Sequence, residues 1–147
     1  MGWLGNGIYD GDETQSLHYD IIKWAKMRLS YEDISDCVQS KGTFLPERYK
    51  AKFRENIKSV IKKMPKAKNS WVYMDEYDAE NFAFYWQMLA ALIFDNKIEG
   101  MPDVIMENAR MATEYLIHVH ARDFNSPENR RKVLRRFLKK IDKYRDR

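Results

Sequence analysis

Apolar residues recur along most of the chain at intervals of three and four positions, which is the period of one face of an α-helix. The predicted helices cover residues of about 13–29, 46–64, 78–94, 102–122 and 127–145, and a further short helix begins at Ser30 and ends before Gly42. No alternating run of five or more residues indicates a β-strand. We therefore expect an all-α fold, in which five or six helices form a single helical domain over residues 1–147.

The segment 78–94 differs from the other predicted helices because it has almost no polar face. Every residue from Phe82 to Phe94 is apolar or aromatic except Gln87. A helix that is apolar on all sides is buried, so we expect this one to be the central helix of the bundle. The short apolar run 71–74 in front of it fits either an extended segment or a packed loop.

Local signals place the ends of several helices. Asp12 to Gln15 has the spacing of a capping box, in which side chains satisfy the free N–H groups of a helix start. Pro46 and Pro127 suit a first helical turn, because proline lacks the N–H that this turn leaves unused. Pro65 ends the helix predicted over 46–64, because without an N–H it cannot continue the hydrogen-bond ladder.

Length and composition favour one intracellular domain. The 147 residues fit a single domain, and no apolar run approaches the roughly 20 residues that a membrane span needs. The N-terminus lacks the basic and apolar regions of a secretory signal. The single cysteine, Cys37, excludes an internal disulfide and the common cysteine and histidine metal cages. We expect a cytoplasmic protein that binds no metal, cofactor or membrane.

Charged residues are distributed in blocks of alternating sign. Residues 41–70 carry 10 basic and 2 acidic side chains, and residues 126–147 carry 10 and 3. Residues 1–40 carry 7 acidic and 3 basic side chains, and residues 71–125 carry 10 and 3. Such blocks either neutralise each other across a helical bundle or attract a partner of opposite charge.

Two predicted helices carry their cations on the arc opposite the apolar one, and we name these arcs the 46–64 basic face and the 127–145 basic face. Candidate partner-binding residues of the 46–64 basic face are Arg48, Lys52, Arg54, Lys58 and Lys62. Those of the 127–145 basic face are Arg131, Arg135, Arg136, Lys139, Lys140 and Lys143. They favour binding of another macromolecule, a protein foremost. Nucleic acid is the alternative partner, because a row of cations neutralises phosphates.

An acidic patch lies at the start of the central helix. It consists of Asp75, Glu76, Asp78 and Glu80. Asp75 or Asp78 can cap the helix, because acids are favoured at helix N-termini. Two further hypotheses stay open. Carboxylates can perform acid–base chemistry in a pocket, and an acidic surface can dock a basic partner.

Other residues with catalytic potential do not form a recognisable constellation. His118 and His120 lie two positions apart, so on a helix they point about 200° from each other and cannot share a metal. No nucleophile motif surrounds any serine, and Cys37 lies near an apolar face, as buried inert thiols do. We expect a non-enzymatic protein with no catalytic residues, and a small enzyme built on the acidic patch is the remaining alternative.

The chain opens on a glycine-rich segment, since the first eleven residues hold four of its six glycines. Its motif consists of Trp3, Gly5, Gly7, Tyr9, Asp10 and Asp12. The segment lacks the Lys-Ser/Thr ending and the preceding strand of a phosphate-binding loop, and its acids lack the spacing of a calcium loop. We expect an ordered, irregular segment with a structural role, in which Trp3 and Tyr9 anchor the chain to the core.

This opening resembles a family of bacterial and phage proteins known only as a domain of unknown function, whose members begin with a Trp-Gly-x-Gly-x-aromatic-acidic pattern. Here Leu4 separates Trp3 from Gly5, which departs from that spacing. The apolar stretch from Phe82 to Pro102 and the final amphipathic helix are also similar. The resemblance implies a small helical cytoplasmic protein and assigns it no reaction. A phage origin would fit an inhibitor of a host enzyme or defence complex.

Overall fold

The computed structural model describes residues 14–28, 47–66, 70–123 and 126–145. These hold six α-helices, which are α1 (Thr14–Trp24), α2 (Glu47–Glu55), α3 (Ile57–Lys63), α4 (Glu76–Asp95), α5 (Asp103–His118) and α6 (Pro127–Arg145). Single turns of 3-10 helix lie at Trp71–Tyr73 and His120–Asp123. The described chain contains no strand, so the all-α prediction is confirmed. The short helix predicted after Ser30 lies outside the described residues.

The core is organised around α4, as its composition predicts. Eleven of its residues are buried, and they lie on every side of the helix. It packs against α5 and against α1, and α6 packs on α5. The ring of Phe137 on α6 also lies 5.4 Å from that of Phe94 at the end of α4. Asp75 is the N-cap, and its carboxylate accepts a hydrogen bond of 2.8 Å from the backbone N–H of Asp78. This bond settles which of the two candidate acids caps the helix.

Polar contacts of aromatic side chains connect α4 to the first part of the chain. The Tyr85 hydroxyl donates a hydrogen bond of 2.6 Å to the Asp20 carboxylate on α1, and the Tyr85 ring lies 5.3 Å from that of Trp24. The indole N–H of Trp86 donates to the backbone carbonyl of Pro65, just after α3, at 2.8 Å. Tyr85 and Trp86 thus both pack in the bundle and use their polar atoms to connect it.

The helix predicted over 46–64 is two helices, which meet at Asn56. The Asn56 backbone departs from α-helical geometry, with φ −102° and ψ 12°. Its side-chain amide donates a hydrogen bond of 3.1 Å to the backbone carbonyl of Ala25, at the end of α1. This carbonyl has no partner inside α1, because the last carbonyls of a helix lack one. Phe53 and Ile57, on either side of the break, both stay buried.

The C-terminal ends of α1 and α4 have the same geometry, and the end of α1 lies earlier than predicted. The helix predicted over 13–29 ends at Trp24, because Lys26 adopts the left-handed conformation with φ 59°. Hydrogen bonds from Lys26 N–H to Lys23 O (2.9 Å) and from Met27 N–H to Ile22 O (3.2 Å) close the end. Glycine is the usual residue at this position, so a lysine there gives no sequence signal.

The same Schellman arrangement ends α4. Lys97 has φ 54°, its N–H bonds to Phe94 O at 3.1 Å, and the Ile98 N–H bonds to Ile93 O at 3.0 Å. Ile98 and Ile93 are both fully buried, which is the apolar contact that accompanies this motif. The burial of the apolar residue after the lysine holds the chain in this turn.

Helix α5 is shorter than predicted, and an apolar residue in its first turn is exposed. The prediction was 102–122, but α5 ends at His118 and a 3-10 turn continues to Asp123. Val104, an apolar residue in the first turn of α5, is 38% exposed. The final helix runs from Pro127 to Arg145, as predicted.

Substituting Lys97 with glycine should stabilise the fold. A left-handed conformation costs a non-glycine residue roughly 1 kcal/mol, which glycine avoids. We expect K97G to raise the free energy of unfolding by about 1 kcal/mol in urea titrations followed by circular dichroism. K97A is the matched control, because it removes the same charge but keeps a Cβ, and it should bring no such gain. Equal stability of K97G and K97A would contradict this account of the turn.

Candidate functional site

The 127–145 basic face forms a continuous exposed surface along α6. The buried residues of this helix are Arg130, Leu134, Phe137 and Ile141. Six exposed cations lie on the opposite arc, and they are Lys132, Arg135, Arg136, Lys139, Lys140 and Lys143. At 100° per residue they share an arc of about 140°, and from Lys132 to Lys143 they extend over about 17 Å at 1.5 Å per residue. We name these six residues the α6 cation row.

Arg131 was predicted to belong to this face, but it is held by contacts within the bundle. Its Nε donates a hydrogen bond of 3.2 Å to the backbone carbonyl of Ile117, near the end of α5. Its Nη1 lies 2.6 Å from a carboxylate oxygen of Glu128. Arg131 therefore ties α6 to the last turn of α5. Its guanidinium is already engaged, so Arg131 is not part of the exposed cationic surface.

The acidic residues of α6 are paired away from the cation row. Glu128 bonds to Arg131, and Asp142 accepts a hydrogen bond of 3.0 Å from Nε of Arg110 on α5. This hydrogen bond from Arg110 to Asp142 is the main cause that raises the pKa of Arg110 above its usual range. Arg110 also contacts Glu114, one turn further along α5. Both acids of α6 are thus paired with arginines outside the cation row, so the row keeps its positive charge.

A pocket of about 420 Å³ lies at the end of the cation row, between α6 and the last turn of α4. Its accessible apolar surface comes from the half-buried rings of Phe94 and Tyr144, and its cations are Lys97, Lys140 and Lys143. Asp95 and Glu99 also line it. Because both acids and bases line the pocket, it suits an apolar side chain flanked by charges better than a free anion.

Tyr144 holds this region together. Its hydroxyl donates to the backbone carbonyl of Ile98 at 3.1 Å and accepts from the N–H of Met101 at 3.1 Å. Its ring packs edge-on against Phe94, with ring centres 5.9 Å apart. The loop between α4 and α5 is therefore fixed to the end of α6, which keeps Lys97 beside Lys140 and Lys143.

The helices that bear the 46–64 basic face pack on different neighbours from those of α6. Lys52, Arg54, Lys58 and Lys62 are all exposed, while the side chain of Arg48 lies outside the described residues. The break at Asn56 divides this face between two short helices. Helix α3 packs on α1, whereas α6 packs on α5. The structure thus gives the two basic faces separate attachments to the core.

The acidic patch begins on an exposed apolar turn. Asp75 and Glu76 are exposed, and Asp78 and Glu80 are half-buried. Val72 (65%), Tyr73 (73%) and Tyr77 (78%) are the most exposed of the large hydrophobic residues described, and we name these three the tyrosine patch. None of the four acids lines either of the two cavities described, which lie around Tyr144 at the far end of α4.

The histidines occupy unrelated environments. His118 is exposed, whereas His120 is buried and packs edge-on against Phe84 with a centroid distance of 5.1 Å. His18 on α1 is 1% exposed, and neither of its ring nitrogens has a hydrogen-bond partner among the described residues. Within residues 14–28, 47–66, 70–123 and 126–145, no three His, Cys, Asp or Glu side chains are grouped to hold a metal ion.

Sequence analysis missed two cations with distinct roles. Arg130 is fully buried, although it belongs to the basic segment. Its spacing from Leu134, Phe137 and Ile141 repeats the period of the buried stripe, and that spacing is the signal that identifies it. Lys97 joins the basic surface only because the α4 end turns there, and no local pattern in the sequence predicts that contact.

Comparison with protein-family models, with curated proteins and with solved structures finds no match to this chain. The N-terminal motif from Trp3 to Asp12 lies outside the described residues, as does Cys37, so their predicted roles stay predictions. In the part of the chain that the structure describes, no helix combines the length and apolar character needed to cross a bilayer.

Burial of His18 should make the fold sensitive to acid. Desolvation lowers the pKa of His18 from 6.5 to about 4, so the folded protein holds it neutral. The stabilisation is complete above pH 6.5 and is lost as the pH falls from 6.5 towards 4, because the unfolded chain binds the proton first. We expect this residue to remove about 3 kcal/mol of stability over that range.

The comparison of H18L with H118Q tests this assignment. Urea unfolding at pH 7 and pH 4 should show a smaller acid loss in H18L than in the unsubstituted protein, by about 3 kcal/mol. H118Q replaces an exposed histidine and should keep the full loss. A parallel decline of stability in H18L and the unsubstituted protein would show that His18 does not carry the effect.

Proposed function

We propose that this chain is a non-enzymatic binding protein, which docks the α6 cation row on an acidic surface of a partner protein. The observation that carries the proposal is the exposure of all six cations on the arc opposite the buried stripe of α6. Charges on a rigid helix are held in fixed register, so they can match a complementary pattern of carboxylates. Exposed complementary charges mainly raise association rates and select among partners.

The pocket beside Lys140 and Lys143 supports a protein as the partner. Exposed ion pairs contribute little binding free energy, because both charges stay hydrated. Affinity in protein interfaces comes largely from side chains buried in pockets near the centre of contact. The half-buried rings of Phe94 and Tyr144 in the pocket lining offer such a place next to the cations. An acidic partner segment with one apolar side chain fits both features.

Nucleic acid is the second candidate, and the spacing of the cations favours it. Six cations over about 17 Å give one per roughly 3 Å of helix axis, which is close to the 3.4 Å between phosphates along one DNA strand. No apolar side chain interrupts the arc. Backbone binding of this kind would be insensitive to sequence and would weaken steeply as salt rises.

The N-terminal resemblance supports a cellular context for the proposal. Its similarity to a family of bacterial and phage proteins points to the cytoplasm as the location. A host enzyme or defence complex would then be the acidic partner, and the chain would act as its inhibitor. A partner captured from nuclease-treated lysate of the encoding organism and identified by mass spectrometry would provide the ligand for the following test.

Charge reversal on α6 tests the proposed surface. We expect R135E/R136E/K139E/K140E to weaken binding to the captured partner about 100-fold at 150 mM salt, because four attractions become repulsions. These side chains are exposed, so circular dichroism should show an unchanged fold. Titration calorimetry measures the affinity.

The matched control places the same change of charge on the 46–64 basic face. K52E/R54E/K58E/K62E also alters four exposed cations and should bind within about threefold of the unsubstituted protein. Unchanged affinity in the folded α6 variant, or an equal loss in the control, would overturn the assignment. Salt titration with a 20-base-pair duplex tests the second candidate, for which log K should fall against log salt with a slope of about −5 if six phosphates are engaged.

A further inference from the structure

The tyrosine patch is held in a fixed conformation while its side chains face solvent. Ser70 caps the 3-10 turn, since its Oγ accepts a hydrogen bond of 3.3 Å from the N–H of Val72. Trp71 is half-buried and packs edge-on against Tyr115 of α5, with ring centres 5.5 Å apart. The turn is therefore anchored from below, and Val72 and Tyr73 are presented outwards at little cost in conformational entropy on binding.

The patch continues into the first turn of α4. Asp75 fixes this turn by capping it, and Tyr77 extends from the turn with 78% of its surface exposed. Exposed large apolar side chains that cluster on a surface mark interaction sites, whereas isolated ones do not. Tyrosine is also enriched in protein interfaces, because its ring buries apolar area and its hydroxyl stays polar.

The chain segment that carries the patch has charge of one sign. Asp75 and Glu76 are exposed between Tyr73 and Tyr77, and the chain contains no Lys or Arg between Ser70 and Asn96. A cation that approaches this surface therefore meets carboxylates and the faces or edges of aromatic rings. Arginine satisfies both better than lysine, because its planar guanidinium stacks on rings and pairs with a carboxylate through two hydrogen bonds.

We propose that the tyrosine patch, together with Asp75 and Glu76, docks an arginine-rich segment of a second partner protein. The surface differs from the α6 cation row in position and in charge, and the proposal does not depend on the function proposed for that row. A chain with both surfaces would join an acidic partner at α6 to a basic partner at the start of α4, and so would act as an adaptor.

Peptide binding tests the patch directly on the full chain. The probe is a fluorescein-labelled octapeptide of alternating arginine and glycine, compared with the same peptide containing lysine in place of arginine, and binding is read by anisotropy. We expect the arginine peptide to bind several-fold more tightly than the lysine peptide. We expect Y73A/Y77A to weaken binding of the arginine peptide about tenfold through the loss of two ring contacts.

Control variants separate recognition from folding. Y73F/Y77F keeps both rings and should bind within about twofold of the unsubstituted protein, and V104A, which alters an exposed apolar residue outside the patch, should leave binding unchanged. E76Q should weaken binding two- to threefold, since it removes a carboxylate without touching the Asp75 cap. Equal binding of the two peptides, or an unchanged affinity in Y73A/Y77A, would overturn the proposal. A dimer of the unsubstituted protein that Y73A/Y77A converts to a monomer would overturn it in favour of a second copy as the occupant.

Discussion

The burial of α4 is the constraint on which the rest of the structure depends. Eleven of its residues are removed from solvent, and each large apolar side chain among them contributes roughly 1.5–3 kcal/mol only when other helices cover it. Helices α1 and α5 supply most of that cover, and α6 completes the bundle by packing on α5 and on Phe94 at the end of α4. Since one stripe of α6 is committed to this packing, the opposite arc must face outwards. The position of the cation row thus follows from the covering of α4.

The identity of the helices could be predicted from the sequence, but several of their ends could not. Apolar periodicity and the proline at 127 were sufficient for α6, whose bounds agree with the prediction. The ends of α1 and α4 depend on lysines at 26 and 97, which adopt a conformation that usually requires glycine. Buried Met27 and Ile98 stabilise these turns through contacts elsewhere in the fold. The break at Asn56 likewise depends on a carbonyl 31 positions earlier, and local patterns carry no information about such a contact.

For the candidate surfaces too, some features follow from local sequence patterns and others depend on contacts between distant parts of the chain. The arc of the cation row follows from helical spacing alone, so five of its six members were among the predicted partner-binding residues. The engagement of Arg131 with Ile117 and the approach of Lys97 to Lys143 required the packing of three helices. The tyrosine patch was missed for a related reason. Aromatic residues predict burial in a sequence, whereas Tyr73 and Tyr77 are exposed and only Trp71 of this segment packs on α5.

The two hydrogen bonds of the Tyr144 hydroxyl have a consequence for local motion. They join the last turn of α6 to the backbone of Ile98 and Met101 across more than 40 positions of sequence. Fraying of the helix end must release the Met101 amide, so the two events form one cooperative opening rather than two. Hydrogen–deuterium exchange at the Met101 amide therefore reports the opening of both the α6 end and the loop between α4 and α5. A ligand seated on Lys140 and Lys143 would slow this exchange without contacting Met101.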